Sequence, residues 1–160
     1  MGKKLIVLAA ALFCIGTVNL FAWGIGAQLG GAISDHSGGN AAITFKLDDI
    51  PWVFAVDGSF GPNRFNIGVT ADMWVINPNI VGPLNFYVGW GLFGGIGIYD
   101  SDVSFVAGGR VPIGLNAFFF NDFFEPYLQI APGIGVHAGS DGVGLYWYIP
   151  INLGFRFWFK

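Results

Sequence analysis

From Trp23 to the end of the chain, apolar side chains fall on every second residue, and this period of two constrains the fold more than any other feature. The last stretch shows it most fully. Leu145, Trp147, Ile149, Ile151, Leu153, Phe155, Phe157 and Phe159 alternate there with Tyr146, Tyr148, Asn152, Gly154 and Arg156. Successive side chains of a strand point to opposite faces, so such a run forms a ribbon with one apolar and one mixed face. The 26 glycines reinforce the reading, since each one inside a helix costs roughly 1 kcal/mol relative to Ala. The chain is still very apolar, at 54% hydrophobic and 11% charged with a mean hydropathy of +0.60. That excludes a disordered segment, a coiled coil or a basic tail. No stretch after residue 22 reaches the roughly 18 uninterrupted apolar residues of a membrane helix.

Eight alternating segments follow one another: 23–33, 41–47, 52–60, 64–76, 83–99, 103–115, 125–137 and 143–159. Between them lie turn-forming stretches, among them Ser34 to Asn40, Asp48 to Pro51, Gly61-Pro62-Asn63, Asn77 to Gly82 and Asp100 to Asp102, with an aromatic-rich connection from Asn116 to Phe124. An even number of strands in a meander closes into a barrel. Pro112, Pro126 and Pro132 interrupt a strand ladder and are expected at bulges or strand ends.

The charges assign the faces. Lys46, Asp57, Asp72, Arg110, Glu125 and Arg156 all fall on the glycine-bearing face, and the apolar face of the segments carries no ionisable residue. A soluble barrel would show the inverse, with its apolar face inside. A lone Arg or Lys facing lipid at the midplane costs about 2–4 kcal/mol, so the apolar face is expected to meet lipid. The fold class expected is therefore all-β, an eight-stranded antiparallel up-and-down transmembrane barrel. An eight-stranded interior is barely wide enough for its own side chains, and the glycines make room there. The six charges, three basic and three acidic, are expected to form a neutral lumen network in which Arg110 and Arg156 pair with some of Asp57, Asp72 and Glu125, and Lys46 completes it.

Residues 1–22 read as a secretory signal peptide, leaving 23–160 as the barrel. Lys3 and Lys4 form the basic region, Leu5 to Gly16 the apolar core and Ala22 the small residue before cleavage. The only cysteine, Cys14, lies in the discarded segment. Phe13 before it is too bulky for a lipoprotein cut, so the mature chain has no thiol chemistry. Its five basic and ten acidic residues make nucleic acid an unfavourable partner.

Near the carboxyl end, Asn152, Gly154, Phe157 and Phe159 resemble the terminal signal by which outer-membrane barrels are recognised for assembly, followed here by Lys160. Further strings carry a resemblance to the small OmpA-, OmpX- and OmpW-shaped outer-membrane barrels, and more narrowly to the short barrels of spirochaetes. They are Thr44-Phe45-Lys46-Leu47 with Ile50-Pro51, Gly68-Val69-Thr70-Ala71-Asp72 with Trp74, Val81-Gly82-Pro83-Leu84-Asn85, Arg110-Val111-Pro112-Ile113-Gly114-Leu115, Ala131-Pro132-Gly133-Ile134-Gly135 and Gly154-Phe155-Arg156-Phe157-Trp158-Phe159. The resemblance implies the cell outer membrane, a role in envelope integrity, solute passage or surface binding, and no enzymatic activity in most members. It also implies assembly by the barrel-assembly machinery with periplasmic chaperones. A monomer in outer-membrane lipid is expected, with room for a host or extracellular ligand at the loops.

Other chemistry is weaker. The strings Gly89-Trp90-Gly91-Leu92-Phe93-Gly94 and Gly133-Ile134-Gly135-Val136-His137-Ala138 imitate a dinucleotide motif, but neither opens a helix that could hold a phosphate. His137, Ser140 and Asp141 fall at one rim, where a lipid hydrolase would need them, yet nothing visible orients the histidine. Asp35 and His36 are too few for a metal site. No cofactor and no metal are expected. The loops are short, which argues against a large adhesive surface, and a general porin needs about 16 to 18 strands for its channel. The expectation is a structural or surface-interaction barrel with a filled, charge-paired lumen, with a narrow channel for ions or small apolar solutes as the alternative. A rim-located lipid hydrolase and a soluble lipocalin-like carrier rank lower.

Overall fold

The computed structural model describes residues 22–34, 38–61, 64–99, 102–140 and 142–159, and of residues 60, 61, 64 and 99 the backbone alone. Residues 1–21 of the leader, with Cys14, and also Asp35, His36, Pro62, Asn63, Asp100, Asp141 and Lys160 lie outside the described residues. The strands are β1 (Trp23–Ile33), β2 (Gly38–Leu47), β3 (Trp52–Gly61), β4 (Arg64–Ile76), β5 (Asn79–Val81), β6 (Leu84–Tyr99), β7 (Asp102–Arg110), β8 (Ile113–Ala117), β9 (Phe124–Ile130), β10 (Gly133–Gly139) and β11 (Gly142–Phe159). All pairings are antiparallel between neighbours, and β1 pairs with β2 on one side and β11 on the other, so the ring of pairings closes on itself.

These pieces make eight passes. β7 and β8 are one pass broken at Val111-Pro112, and β9 and β10 are one pass broken at Ala131-Pro132. The breaks are adjacent and aligned: the Val111 N–H donates to the Pro132 carbonyl at 2.9 Å, and the Gly89 N–H to the Pro112 carbonyl at 2.9 Å. A register shift between Trp74 and Ile76 continues them into the β4–β6 ladder. Proline cannot donate to a ladder, so the interruption is shared among neighbouring strands. Pro126 departs from the expectation. It lies inside β9 opposite Phe155, and β8 pairs with β9 only as far as Tyr127. Pro126 therefore has a ladder neighbour on the β11 side alone, an edge position that proline tolerates. Other boundaries move by a few residues, β2 beginning at Gly38 and β5 occupying part of the expected 77–82 turn. The turn after β8 holds Phe120, Asn121 and Asp122 at φ of 57°, 56° and 61°. Asn and Asp tolerate that left-handed region and Phe does not, which stores about 1–2 kcal/mol of strain.

The alternation of the sequence becomes inside and outside. Leu29, Ile43, Val56, Val69, Leu92, Phe105, Val136 and Leu153 are exposed around the cylinder, while Gln28, Thr44, Asp72, Arg110, Glu125, Gln129, Asn152 and Arg156 are buried within it. Such a surface is at home in hydrocarbon, where closed barrels satisfy every backbone hydrogen bond. Aromatic side chains gather at the end holding the chain termini. Trp23 stacks on Phe159 with centroids 4.7 Å apart, and Trp52 meets Trp90 edge-on at 5.5 Å. They form the kind of girdle that sits at a membrane interface. Among the described residues, no helix is long and apolar enough to cross a membrane. Leu92→Arg, in the middle of β6 on the outer face, is expected to lower the stability of the bilayer-folded barrel by about 2–4 kcal/mol. The Phe93→Leu neighbour on the inner face controls for strand disruption, and equal losses at both positions would contradict the assignment of faces.

Candidate functional site

Strand register explains how the lumen is built. Neighbouring strands lie about 4.8 Å apart, so side chains two strands apart start about 10 Å from each other. They can meet only if the residue between them has little or no side chain. Asp72, Gly91 and Arg110 stand in one row across β4, β6 and β7. Above Gly91 the Arg110 Nε donates to Asp72 Oδ1 at 2.7 Å, and Nη2 donates to Asp72 Oδ2 at 2.5 Å and to Thr70 Oγ1 at 3.1 Å. A Cβ on Gly91 would collide with Asp72 Oδ1.

The same arrangement recurs around the barrel. The Tyr87 hydroxyl reaches over Gly114 to donate to Gln129 Oε1 at 3.0 Å, and the Tyr127 hydroxyl reaches over Gly154 to Gln28 Oε1 at 3.0 Å. Asn40 Nδ2 crosses Gly30 to Asn152 Oδ1 at 3.0 Å, and Lys46 crosses Gly24 to the face of Trp158.

Glu125 and Arg156 are direct neighbours across β9 and β11. Arg156 Nε donates to Glu125 Oε2 at 2.7 Å and Nη2 to Oε1 at 3.1 Å, while Trp158 Nε1 and Asn116 Nδ2 each donate to the same carboxylate at 2.8 Å. Four charge-assisted donors on one carboxylate satisfy it fully inside a protein. The guanidinium also lies 4.3 Å from the Tyr127 ring centroid and 5.1 Å from that of Trp74, and Trp74 stacks on Tyr87 at 3.9 Å. These side chains fill the half of the lumen nearer the termini.

Lys46 and Asp57 do not join either pair. Lys46 Nζ sits between two indoles, 5.4 Å from the Trp74 centroid and 5.1 Å from that of Trp158. Among the described side chains, the ion pairs are Arg110–Asp72 and Arg156–Glu125, the kind of pairing expected of the two arginines, while Lys46 is held by aromatic faces and Asp57 forms no ion pair. Asp57 is offset along the barrel, four residues beyond Val53, the partner of Lys46 across β2 and β3, which is about 13 Å at the rise of a strand. The filled lumen is likewise true of one half only. The other half encloses a cavity of about 570 Å³, whose lining includes Asp57, Asn66, Phe93, Arg110, Tyr146 and Tyr148. His137 and Ser140 also line it, and no hydrogen bond joins them among the described residues. No group of three or more His, Cys, Asp or Glu able to hold a metal occurs among the described residues.

Asn152, Gly154, Phe157 and Phe159 all lie on β11, the strand that closes the ring. Asn152 and Gly154 face the lumen, where Gly154 leaves space for the Tyr127 ring, and Phe157 and Phe159 belong to the outer aromatic girdle. Sequence reasoning missed Trp74, Trp158, Gln28 and Gln129 as lumen partners. The available signal was their place on the glycine-bearing face, and in register each stands opposite a glycine of the adjacent strand.

No protein-family model and no curated protein matches the chain. Among solved structures it is similar to Neisserial surface protein A (NspA), with a TM-score of 0.58, 16% identity, and coverage of 86% of this chain and 96% of that one. It is also similar to a major outer membrane protein from Thermus thermophilus, with a TM-score of 0.48, 10% identity, and coverage of 87% and 99%. The first likeness shows the fold, a small antiparallel barrel, and the expectation of that class is borne out.

Proposed function

We propose that the chain is an integral outer-membrane barrel of structural or surface-interaction type, non-enzymatic and monomeric, whose lumen does not conduct. The observation that carries this reading is the plug at the terminal end. Glu125, Arg156, Tyr87, Tyr127 and Trp158 are 0–4% exposed there, packed against one another and hydrogen-bonded. A hydrated path needs room and mobile polar groups, whereas here the polar groups are already paired and dry. The apolar outer belt supports outer-membrane lipid as the surroundings. Residues 1–22 serve in this reading as the export leader, and Asn152, Gly154, Phe157 and Phe159 as the part of β11 read by the assembly machinery after periplasmic chaperones deliver the chain. The likeness to a neisserial surface protein agrees with a surface-exposed role for the hairpin end.

Refolded protein in a planar bilayer is expected to show no stable conductance steps. Steps that vanish on changing Arg110 or Asp72 would replace this reading with the narrow-channel one. On cells, the protein is expected in the detergent-extracted outer-membrane fraction with protease-sensitive turns at the hairpin end. Recovery from the periplasmic extract without detergent would overturn the lipid-facing assignment and favour a soluble carrier.

A further inference from the structure

Among the described carboxylates that lean over a glycine, Asp57 differs from Asp72 in meeting no cation beyond it, and the cavity lies there. Asp72 leans over a glycine and meets a cation two strands away. Asp57 also leans over a glycine, with its Oδ2 2.8 Å from where a Gly68 Cβ would stand. Its row continues from Gly68 to Gly95, so the position where a partner would stand holds a second glycine. Beyond it come Val106 and His137. Among the described side chains no Lys or Arg forms an ion pair with Asp57. Asp57, Gly68 and Gly95 all line the cavity of about 570 Å³.

The other groups of the wall decide what kind of ligand fits. Arg110 is the cationic side chain of the described lining, and its Nε and Nη2 are already engaged by Asp72 and Thr70. Asp102 adds a second carboxylate towards the turns. Among the described side chains of the wall the charge that remains is negative, with Arg110 the cation whose field also reaches Asp57, and this disfavours an anion. Phe93, Tyr146 and Tyr148 form an aromatic cluster in the wall of the same cavity, with Phe93 centroids 6.1 Å from Tyr146 and 4.8 Å from Tyr148, and the two tyrosines 5.5 Å apart. A cavity that holds both ring faces and carboxylates suits an ammonium group, whose charge is attracted to both. The volume lies within the roughly 300–1,000 Å³ of small-molecule sites. We propose that the hairpin-end cavity is a binding site for a small organic cation, an amine or quaternary ammonium, which takes the place that a partner side chain of Asp57 leaves open over Gly68 and Gly95.

The test uses the refolded full barrel in detergent and choline as probe, with 3,3-dimethyl-1-butanol as its uncharged isostere. Titration calorimetry and tyrosine fluorescence are expected to show saturable choline binding and at least about tenfold weaker binding of the isostere. Asp57→Asn keeps the shape of the side chain and is expected to weaken choline binding about tenfold while leaving the heat-modifiable gel mobility of the folded barrel unchanged. Tyr148→Leu is expected to weaken it several-fold, and Gly68→Ser, which fills the gap beside the carboxylate, to abolish it. Equal binding of the isostere, unchanged affinity in Asp57→Asn, or no saturation by about 100 mM choline would each overturn the proposal. So would displacement of choline by calcium at matched ionic strength with higher affinity than choline itself, which would make the site one for inorganic cations.

Discussion

Arg156→Ala is expected to lower the unfolding free energy of the refolded barrel by about 3–5 kcal/mol, the range found when a buried ion pair loses one member. Glu125 is 0% exposed and Arg156 1%. The variant strands a carboxylate in the plug, with only the Trp158 and Asn116 donors left to hold it. Urea titrations followed by tryptophan fluorescence measure the loss directly. Two further outcomes distinguish a buried pair from a surface one. About 1 M salt should hardly change the stability of the parent barrel through this pair, because solvent ions do not reach it. The double change Arg156→Leu with Glu125→Leu should recover more than half of the loss, since two apolar groups of similar volume often replace a buried pair at little cost. A single variant as stable as the parent would show that the carboxylate finds water, and with it that the plug is open.

The second large effect is expected from a methyl group. Gly91→Ala drives a Cβ into Asp72 Oδ1 and places it 2.6 Å from the Ala71 carbonyl oxygen. The carboxylate has to move, and Arg110 loses its partner. Gly154→Ala runs into the Tyr127 ring and meets the Ala27 carbonyl oxygen at 2.8 Å. Each is expected to cost about 3 kcal/mol, the upper part of the usual range for overpacking. Gly94→Ala is the control, because on the outer face its Cβ meets nothing nearer than the Val106 carbonyl at 3.8 Å. Its effect should stay within about 0.5 kcal/mol. Equal losses at Gly91 and Gly94 would mean that glycine matters for strand flexibility and not for the side chains that pass above it.

Much of the fold was legible along the chain because a strand's two faces are written in alternate residues. Leu145 to Phe159 and Tyr146 to Arg156 need no partner to declare their sides. Pro112 and Pro132 marked the interrupted passes, since a missing N–H is a local property. Pro126 did not follow because its tolerance depends on where β8 stops pairing, which is a fact about a neighbour. The site was legible in kind and not in connection. Asp72 and Arg110 could be assigned to the lumen from parity alone, but their meeting depends on Gly91 standing between them in register. Lys46 was expected to complete the charge network and lies between Trp74 and Trp158, because the row through Gly24 leads to an indole.

Sequence by itself determined the all-β class, the number of passes, which face meets lipid and which residues occupy the lumen, all of which follow from the period of two and the placing of charge and glycine. Tertiary structure alone decided who pairs with whom, why one half is plugged, and why the other holds a cavity beside Asp57. Those outcomes depend on the stagger between neighbouring strands. A shift of one strand past another leaves its own alternation untouched and changes every contact made across the glycines.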